Sequence, residues 1–431
     1  MNRLSKLGWQ TIQTAGVRVF IALLIFVTTA VIARFLGPEG QGVYFATITL
    51  ATIIVQFSIL GLQSSNAYLL AQNQRLLRGL LTNSLLVSVV FGTIVALTVT
   101  LAVIAGGWKI GATSVCLWLG ALMVPARMFF MLGSNLLVGM QRITTFNAVQ
   151  IVLYVLVLAA VILVSAMHVS VVTFLVVTLI AWTLAATLLL VVLARSDGLS
   201  RNFDAEIFRS GLRYGMKSHI ACLFGFLVLR VNVFVLQAYH GDHAVGHYSV
   251  AAQIWEAMLF LPQSLALVVF PTLVQAKDRR WILTLKNLLA ITACMSLACA
   301  LCALTVRPFV HLAFGEDFLP AVAVMWWMLP GVFAFSLISV VSKYLASTGF
   351  PRLQVVTWIA AFGLITVLGA VLIPRYSGVG AAMALSITSC ATLAMLFSIA
   401  YWISHQESPQ QMTLSTAKFA NVGMTPSVAR P

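Results

Sequence analysis

The stretches Phe35-Leu-Gly-Pro-Glu-Gly-Gln-Gly-Val-Tyr44 and Tyr239-His-Gly-Asp-His-Ala-Val-Gly-His-Tyr248 set the architecture of this chain. Gly37, Gly42 and Tyr44 fall on Gly241, Gly246 and Tyr248 with one constant offset of 204 residues. Each stretch is short and glycine-containing, and each stands between two long apolar runs. Further along, Gly139 and Arg142 fall on Gly349 and Arg352, and Ala160-Val161 falls on Ala370-Val371, at an offset of 210. The chain reads as an internal repeat whose second copy carries about six extra residues.

A helix needs roughly 20 mostly apolar residues to cross a bilayer. Working outward from the two stretches gives twelve such runs: 11–33, 43–63, 80–105, 112–137, 146–166, 170–194, 213–238, 246–272, 282–305, 320–346, 354–373 and 378–402. The composition agrees. Of 431 residues, 61% are hydrophobic and 8% charged, against roughly 25% charged in soluble domains. That excludes a soluble enzyme, a disordered chain and a nucleic-acid binder, despite a net charge of +15. The expected fold class is all-α and integral to the membrane, with about 12 transmembrane helices in two six-helix bundles. The expected domains are an N-terminal bundle over 1–200, a C-terminal bundle over 201–403 and a disordered cytoplasmic tail over 404–431. Six passes are an even number, so both copies share one membrane orientation. Such halves are related by an axis along the membrane normal, with the substrate path between them.

Cytoplasmic loops of membrane proteins carry an excess of Lys and Arg. With the N-terminus in the cytoplasm, 16 of the 25 cations fall in cytoplasmic segments and 4 on the other side. The remaining five lie within spans or near their ends. Both termini are therefore expected in the cytoplasm.

The stretch Arg34-Phe-Leu-Gly-Pro-Glu-Gly-Gln-Gly-Val-Tyr44 resembles the first-loop signature of bacterial polysaccharide-repeat-unit flippases of the Wzx type. These belong to the multidrug/oligosaccharidyl-lipid/polysaccharide (MOP) exporter superfamily. Gly246-His-Tyr248, Pro271, Phe314-Gly-Glu-Asp-Phe318, Ala346-Ser-Thr-Gly349 and Ile373-Pro-Arg-Tyr-Ser-Gly-Val-Gly-Ala-Ala382 also look like that family. The matches run in order from about residue 10 to 400. The resemblance implies two bundles in the V shape of multidrug and toxin extrusion (MATE) transporters. It implies that a polyprenyl-pyrophosphate-linked oligosaccharide moves from the cytoplasmic to the outer leaflet of the bacterial inner membrane, for O-antigen, capsule or exopolysaccharide synthesis. It also implies work beside a polysaccharide polymerase and a chain-length regulator.

A charge at mid-membrane costs about 2.5–3.5 kcal/mol on insertion scales. Arg18, Arg127, Lys217, Arg230, Glu256 and Lys343 all fall in or near spans. Lys217 stands near a span end, where its head can reach water. Arg127, Arg230 and Glu256 sit deeper and need a watery cavity or one another. Arg230 and Glu256 lie at similar depth on spans 7 and 8, so they can pair. One reading of that pair is a packing device; the other is substrate or proton handling. The repeat bears on the choice, since Arg230 maps to Phe26 and Glu256 to Thr52. The first copy has no charge at either position, so the scaffold does not require them.

On span 8, Ser249, Gln253, Glu256 and Gln263 share one face at helical spacing, as do Thr49, Thr52, Gln56 and Gln63 on span 2. Matching polar faces on matching helices predict a shared cavity; hydrogen bonding between helices in lipid is the competing reading. The candidate cavity residues are Arg18, Arg127, Lys217, Arg230, Lys343, Gln56 and Gln253, with Glu256 as candidate ion-coupling carboxylate. Five embedded cations against one acid suit an anionic cargo.

The alternatives are a MATE-type drug exporter and, further off, a membrane polymerase or ligase. Drug exporters of the superfamily usually depend on an acid in the first helix, and residues 11–33 contain none. No Walker A, HExxH, G-x-S-x-G or paired-acid motif is present. The six cysteines all lie in apolar runs and read as small apolar residues. His240, His243 and His247 read as solvated loop histidines, so no metal or cofactor is expected.

Overall fold

The computed structural model describes residues 3–108, 110, 114–167, 170–200, 202–275, 279–349 and 352–421. The regular secondary structure among them is helical throughout. Eleven α-helices follow in order: α1 (Arg3–Ser58), α2 (Leu62–Gln72), α3 (Leu77–Leu86), α4 (Gly92–Ala105), α5 (Val115–Gly139), α6 (Ile143–Ser165), α7 (Val171–Asp197), α8 (Ala205–Gln275), α9 (Arg280–Phe314), α10 (Pro320–Ser347) and α11 (Arg352–Asn421). One turn of π-helix, Val87–Phe91, joins α3 to α4.

Nine helical stretches among the described residues are long and apolar enough to cross a membrane, so this is a multi-pass membrane protein. Twelve passes were expected. The difference lies in α1, α8 and α11, each broken at one residue: Gly37, Gly241 and Ser377. Arg230 and Glu256 show that α8 folds back at its break. An unbroken helix would hold residues 26 apart about 39 Å from each other, yet these two are in contact at 2.5 Å. In α11, a Cβ on Gly380 would stand 2.3 Å from the Leu372 carbonyl, across the break. Counted as limbs, the helices give the twelve passes.

The repeat is written into the backbone. Gly37 has φ 66°, ψ −178°, and Gly241 has φ 73°, ψ −175°. A positive φ carries a steric penalty for any residue with a Cβ, which explains the glycine at both equivalent turns. The two copies meet close by. A Cβ on Gly42 would lie 1.8 Å from the Asp242 carbonyl oxygen, and one on Gly246 would lie 1.9 Å from that of Pro38. Pro38 and Asp242 are themselves repeat partners, so the contact is reciprocal about a local two-fold axis. A second close approach joins the copies at the opposite end of the passes, where Gly61 and Gly215 pack backbone to backbone. There the rings of Tyr68 and Tyr214 stack at 4.0 Å.

Large apolar side chains point outward along the passes, with Leu304, Leu312 and Leu289 each more than 70% exposed. In lipid this is the relaxed arrangement, since such side chains are as well solvated there as in a core. Some hydroxyls on the passes are satisfied locally: Thr28, Thr52, Ser58 and Ser88 each donate to the carbonyl four residues back.

The tail expected to be disordered from residue 404 requires correction, because α11 continues as helix to Asn421. Gln, Met, Leu, Ala and Lys in 410–421 are good helix formers and can propagate a helix already nucleated by the span. Residues 422–431 lie outside the described residues. The connection between the copies, after Asp197, is pinned to the first copy. Thr82 receives a hydrogen bond from the Ser200 amide, and Asn83 donates to the Asp204 carbonyl.

Candidate functional site

A cavity of about 310 Å³ opens between the limbs of α1, helices α5 to α7 and the limbs of α8. Its wall is mostly apolar, and three charged residues reach it: Arg127, Arg230 and Glu256. Arg230 donates through Nη2 to Glu256 Oε1 at 2.5 Å. The pair is asymmetric in its access to water: the Arg230 side chain is 19% exposed and that of Glu256 45%. Arg230 Nε is buried and makes no hydrogen bond, and the Phe226 ring lies 5.7 Å from its guanidinium carbon.

Arg127 reaches the same cavity from α5. Its Nη2 donates to Thr52 Oγ1 at 2.8 Å, and its guanidinium sits over the Trp182 ring at 4.6 Å. Thr52 and Glu256 are repeat partners, so each copy presents a hydrogen-bond acceptor at the same place and each acceptor holds an arginine. One acceptor is neutral and the other charged. Arg230 is thus offset by a carboxylate, while the acceptor that holds Arg127 carries no charge. Cations over aromatic faces are favourable, and Trp182 fixes the Arg127 plane without neutralising it.

Gln253 donates to Thr29 Oγ1 at 2.6 Å across the two copies, which leaves its Oε1 buried without a partner. Gln41 does the same toward Ser249 at 3.1 Å. Tyr44 and Thr178 hydroxyls meet at 3.1 Å on the wall. The copies are also clasped near Gly37. Arg34 donates from Nε to the Ala313 carbonyl at 2.9 Å and from Nη2 to that of Leu312, at the C-terminus of α9. Phe26 stacks on Phe309 at 5.2 Å beside this clasp.

Of the candidates from sequence, Arg127, Arg230, Gln253 and Glu256 converge on the cavity. Arg18 and Lys343 do not line it; Lys343 lies within electrostatic range of Arg18 and of Cys222, away from the cavity. Gln56 is buried away from the cavity wall. The Lys217 side chain lies outside the described residues. Sequence reasoning missed Tyr44, Tyr154 and Trp182, which line the cavity; aromatic residues are frequent in this chain and carry no helical pattern that marks these three.

The histidines near Gly241 also need correction. They belong to α8 rather than to a free loop, and two are held by backbone carbonyls. His240 Nε2 meets Ile373 O at 2.8 Å and His247 Nε2 meets Asp317 O at 2.9 Å. Among the described residues, no group of three or more His, Cys, Asp and Glu could hold a metal ion.

Residues 8–277 match the family model described as polysaccharide biosynthesis protein. No curated protein matches the chain. Among solved structures, an inward-facing multidrug resistance MATE family transporter of the MOP superfamily superposes with a TM-score of 0.74 at 14% identity, over 92% of this chain and 99% of the other. A lipid II flippase, MurJ, in an inward closed conformation gives 0.69 at 12% identity, over 96% and 94%. An outward-facing MATE transporter gives 0.60 at 13% identity, over 93% and 94%. At these identities the likeness is one of fold.

Proposed function

The chain belongs to the polysaccharide biosynthesis protein family, and on that premise we propose that it is a flippase for polyprenyl-pyrophosphate-linked oligosaccharide. Its cargo moves from the cytoplasmic to the outer leaflet of a bacterial inner membrane, with both termini of the protein in the cytoplasm. The observation that carries the reading is the charge of the cavity: two arginines and one carboxylate, in a wall otherwise made of apolar, aromatic and uncharged polar side chains. Phosphate oxygens bind guanidinium strongly and bidentately where water is scarce. Aromatic faces such as Trp182 and Tyr154 suit the apolar faces of sugar rings. A cationic drug meets the wrong sign of charge here, and the first limb of α1 offers it no carboxylate.

The described cavity is smaller than a complete oligosaccharide repeat unit. The reading assigns it to the pyrophosphate and the first sugar, with the remaining sugars and the lipid chain outside it. Bundles over 1–200 and 201–403 rock about the reciprocal glycine contact, and the Gly37–Gly241 end is the outer one. The better superposition on the inward-facing transporter supports a state closed at that end. Arg18, Lys217 and Lys343 stand toward the other end and would draw the anionic headgroup in. Glu256 is the proposed coupling carboxylate. Polymer assembly would pass to a polymerase and a chain-length regulator.

Reconstitution tests this reading. Proteoliposomes loaded with polyprenyl-pyrophosphate-linked oligosaccharide on both leaflets would be treated from outside with a glycosidase. The flippase exposes the inner pool, so cleavage runs past one half toward completion. Cleavage that stops at the level of protein-free vesicles overturns the proposal.

A further inference from the structure

We propose that Glu256 is an internal stand-in for the cargo's phosphate: it holds Arg230 when the site is empty of cargo, yields it on binding, and retakes it to expel the cargo. The inference rests on the flippase reading and adds a role that the reading does not require. Three observations carry it. First, Glu256 is the wetter partner of the pair, at 45% exposed against 19%. A carboxylate already in contact with cavity water loses little when its arginine leaves, whereas a fully buried one would be stranded at great cost. Second, Arg230 holds an unused donor, the buried Nε. One Nη2 bond to Glu256 leaves the guanidinium fork incomplete, and a phosphate that takes two of its donors outcompetes a carboxylate that takes one.

Third, the internal repeat supplies a control within the same molecule. Thr52 occupies the position of Glu256 in the first copy and likewise accepts from an arginine, Arg127, at 2.8 Å. A neutral hydroxyl there shows that the scaffold needs only an acceptor at this place. The carboxylate in the second copy is therefore surplus to packing. Its surplus is a negative charge within bonding reach of an anion-binding arginine. Arg127 becomes the constant attractor for cargo and Arg230 the switchable one.

The test is a double-mutant cycle on the full-length protein in nanodiscs, with inorganic pyrophosphate and polyprenyl pyrophosphate as probes in calorimetric titrations. Glu256→Gln keeps the shape and an acceptor, and should tighten binding by about tenfold, because charged contacts of this kind couple strongly. In an Arg230→Gln background the same change should have less than a third of that effect. The reciprocal variant, Thr52→Glu, installs a second stand-in beside Arg127 and should weaken binding by a similar factor. Equal tightening by Glu256→Gln in both backgrounds would mean a diffuse field effect and would overturn the exchange. So would binding to the original protein that Glu256→Gln leaves unchanged. Failure of the original protein and of Glu256→Gln to bind either probe would overturn the pyrophosphate reading itself, and the exchange with it. In transport, Glu256→Gln should bind tightly and release slowly, with turnover reduced several-fold at saturating cargo. Unchanged turnover with tighter binding would also count against the expulsion step.

Discussion

Two arginines in one cavity differ in what faces them. Arg127 lies against a hydroxyl and an indole ring, Arg230 against a carboxylate. Hydrogen bonds to charged groups contribute about 1.5–3 kcal/mol, or roughly 10–100-fold in an equilibrium. Arg127→Ala is therefore expected to cut export at least about tenfold while membrane levels of the protein stay near normal; loss of the protein from the membrane would instead mark Arg127 as a packing residue. For the coupling role, export by Glu256→Gln is expected to lose its response to an imposed transmembrane ion gradient. A response identical to that of the unsubstituted protein would remove Glu256 from coupling. The sequence pointed to Arg127, Arg230, Gln253 and Glu256 because a charge or amide in an apolar run is conspicuous. It misplaced Gln56, since helical spacing gives a face but not the point where that face turns from cavity to core. It was silent on Trp182 and Tyr154, whose side chains look the same in sequence whether they face lipid, core or cargo.

At the scale of elements, the turns at Gly37 and Gly241 and the contact between Gly42 and Gly246 define one end of the molecule. Gly37→Ala and Gly241→Ala each force a Cβ into left-handed backbone, at a cost of about 1–2 kcal/mol. Both variants should melt several degrees lower, whereas Gly363→Ala, on an open helical face with nothing near its Cβ, should be neutral or stabilising, as expected for alanine in a helix. Equal melting temperatures for all three would contradict the backbone assignment. Gly42→Ala has a different effect, because its Cβ must displace the Asp242 carbonyl. Spin labels at positions 35 and 312, both exposed beside the Arg34 clasp, should move apart and broaden in that variant. An unchanged distance would show that the end does not close through this contact. The repeat, and with it the twelve passes, was legible because glycine is the residue that such turns demand. The fold-back near Ser377 was legible in another way, as the break between the apolar runs 354–373 and 378–402, since serine itself carries no such signature. The helical extension to Asn421 was missed because composition reports polarity better than it reports helix propagation.

For the whole molecule, the fold follows from composition, period and repeat, and the cavity follows from where two equivalent polar faces meet. The boundary near residue 200 was marked by the repeat, between the sixth and seventh runs; we propose that it divides the two rocking bodies, although Asp204 hydrogen-bonds to the first. Cargo identity lies beyond fold, because the same architecture superposes on a multidrug transporter and on a lipid II flippase. We propose that the cargo is a pyrophosphate-linked oligosaccharide that needs this protein to change leaflet. The deciding measurement is mass spectrometry of lipids extracted from a strain lacking the gene, together with an assay of surface polymer. The expected result is accumulation of one discrete polyprenyl-pyrophosphate-linked repeat unit, protected from externally added glycosidase, and loss of the polymer, both reversed by the intact gene and not by Arg127→Ala. Normal polymer without accumulation, alongside new sensitivity to cationic drugs, would contradict it.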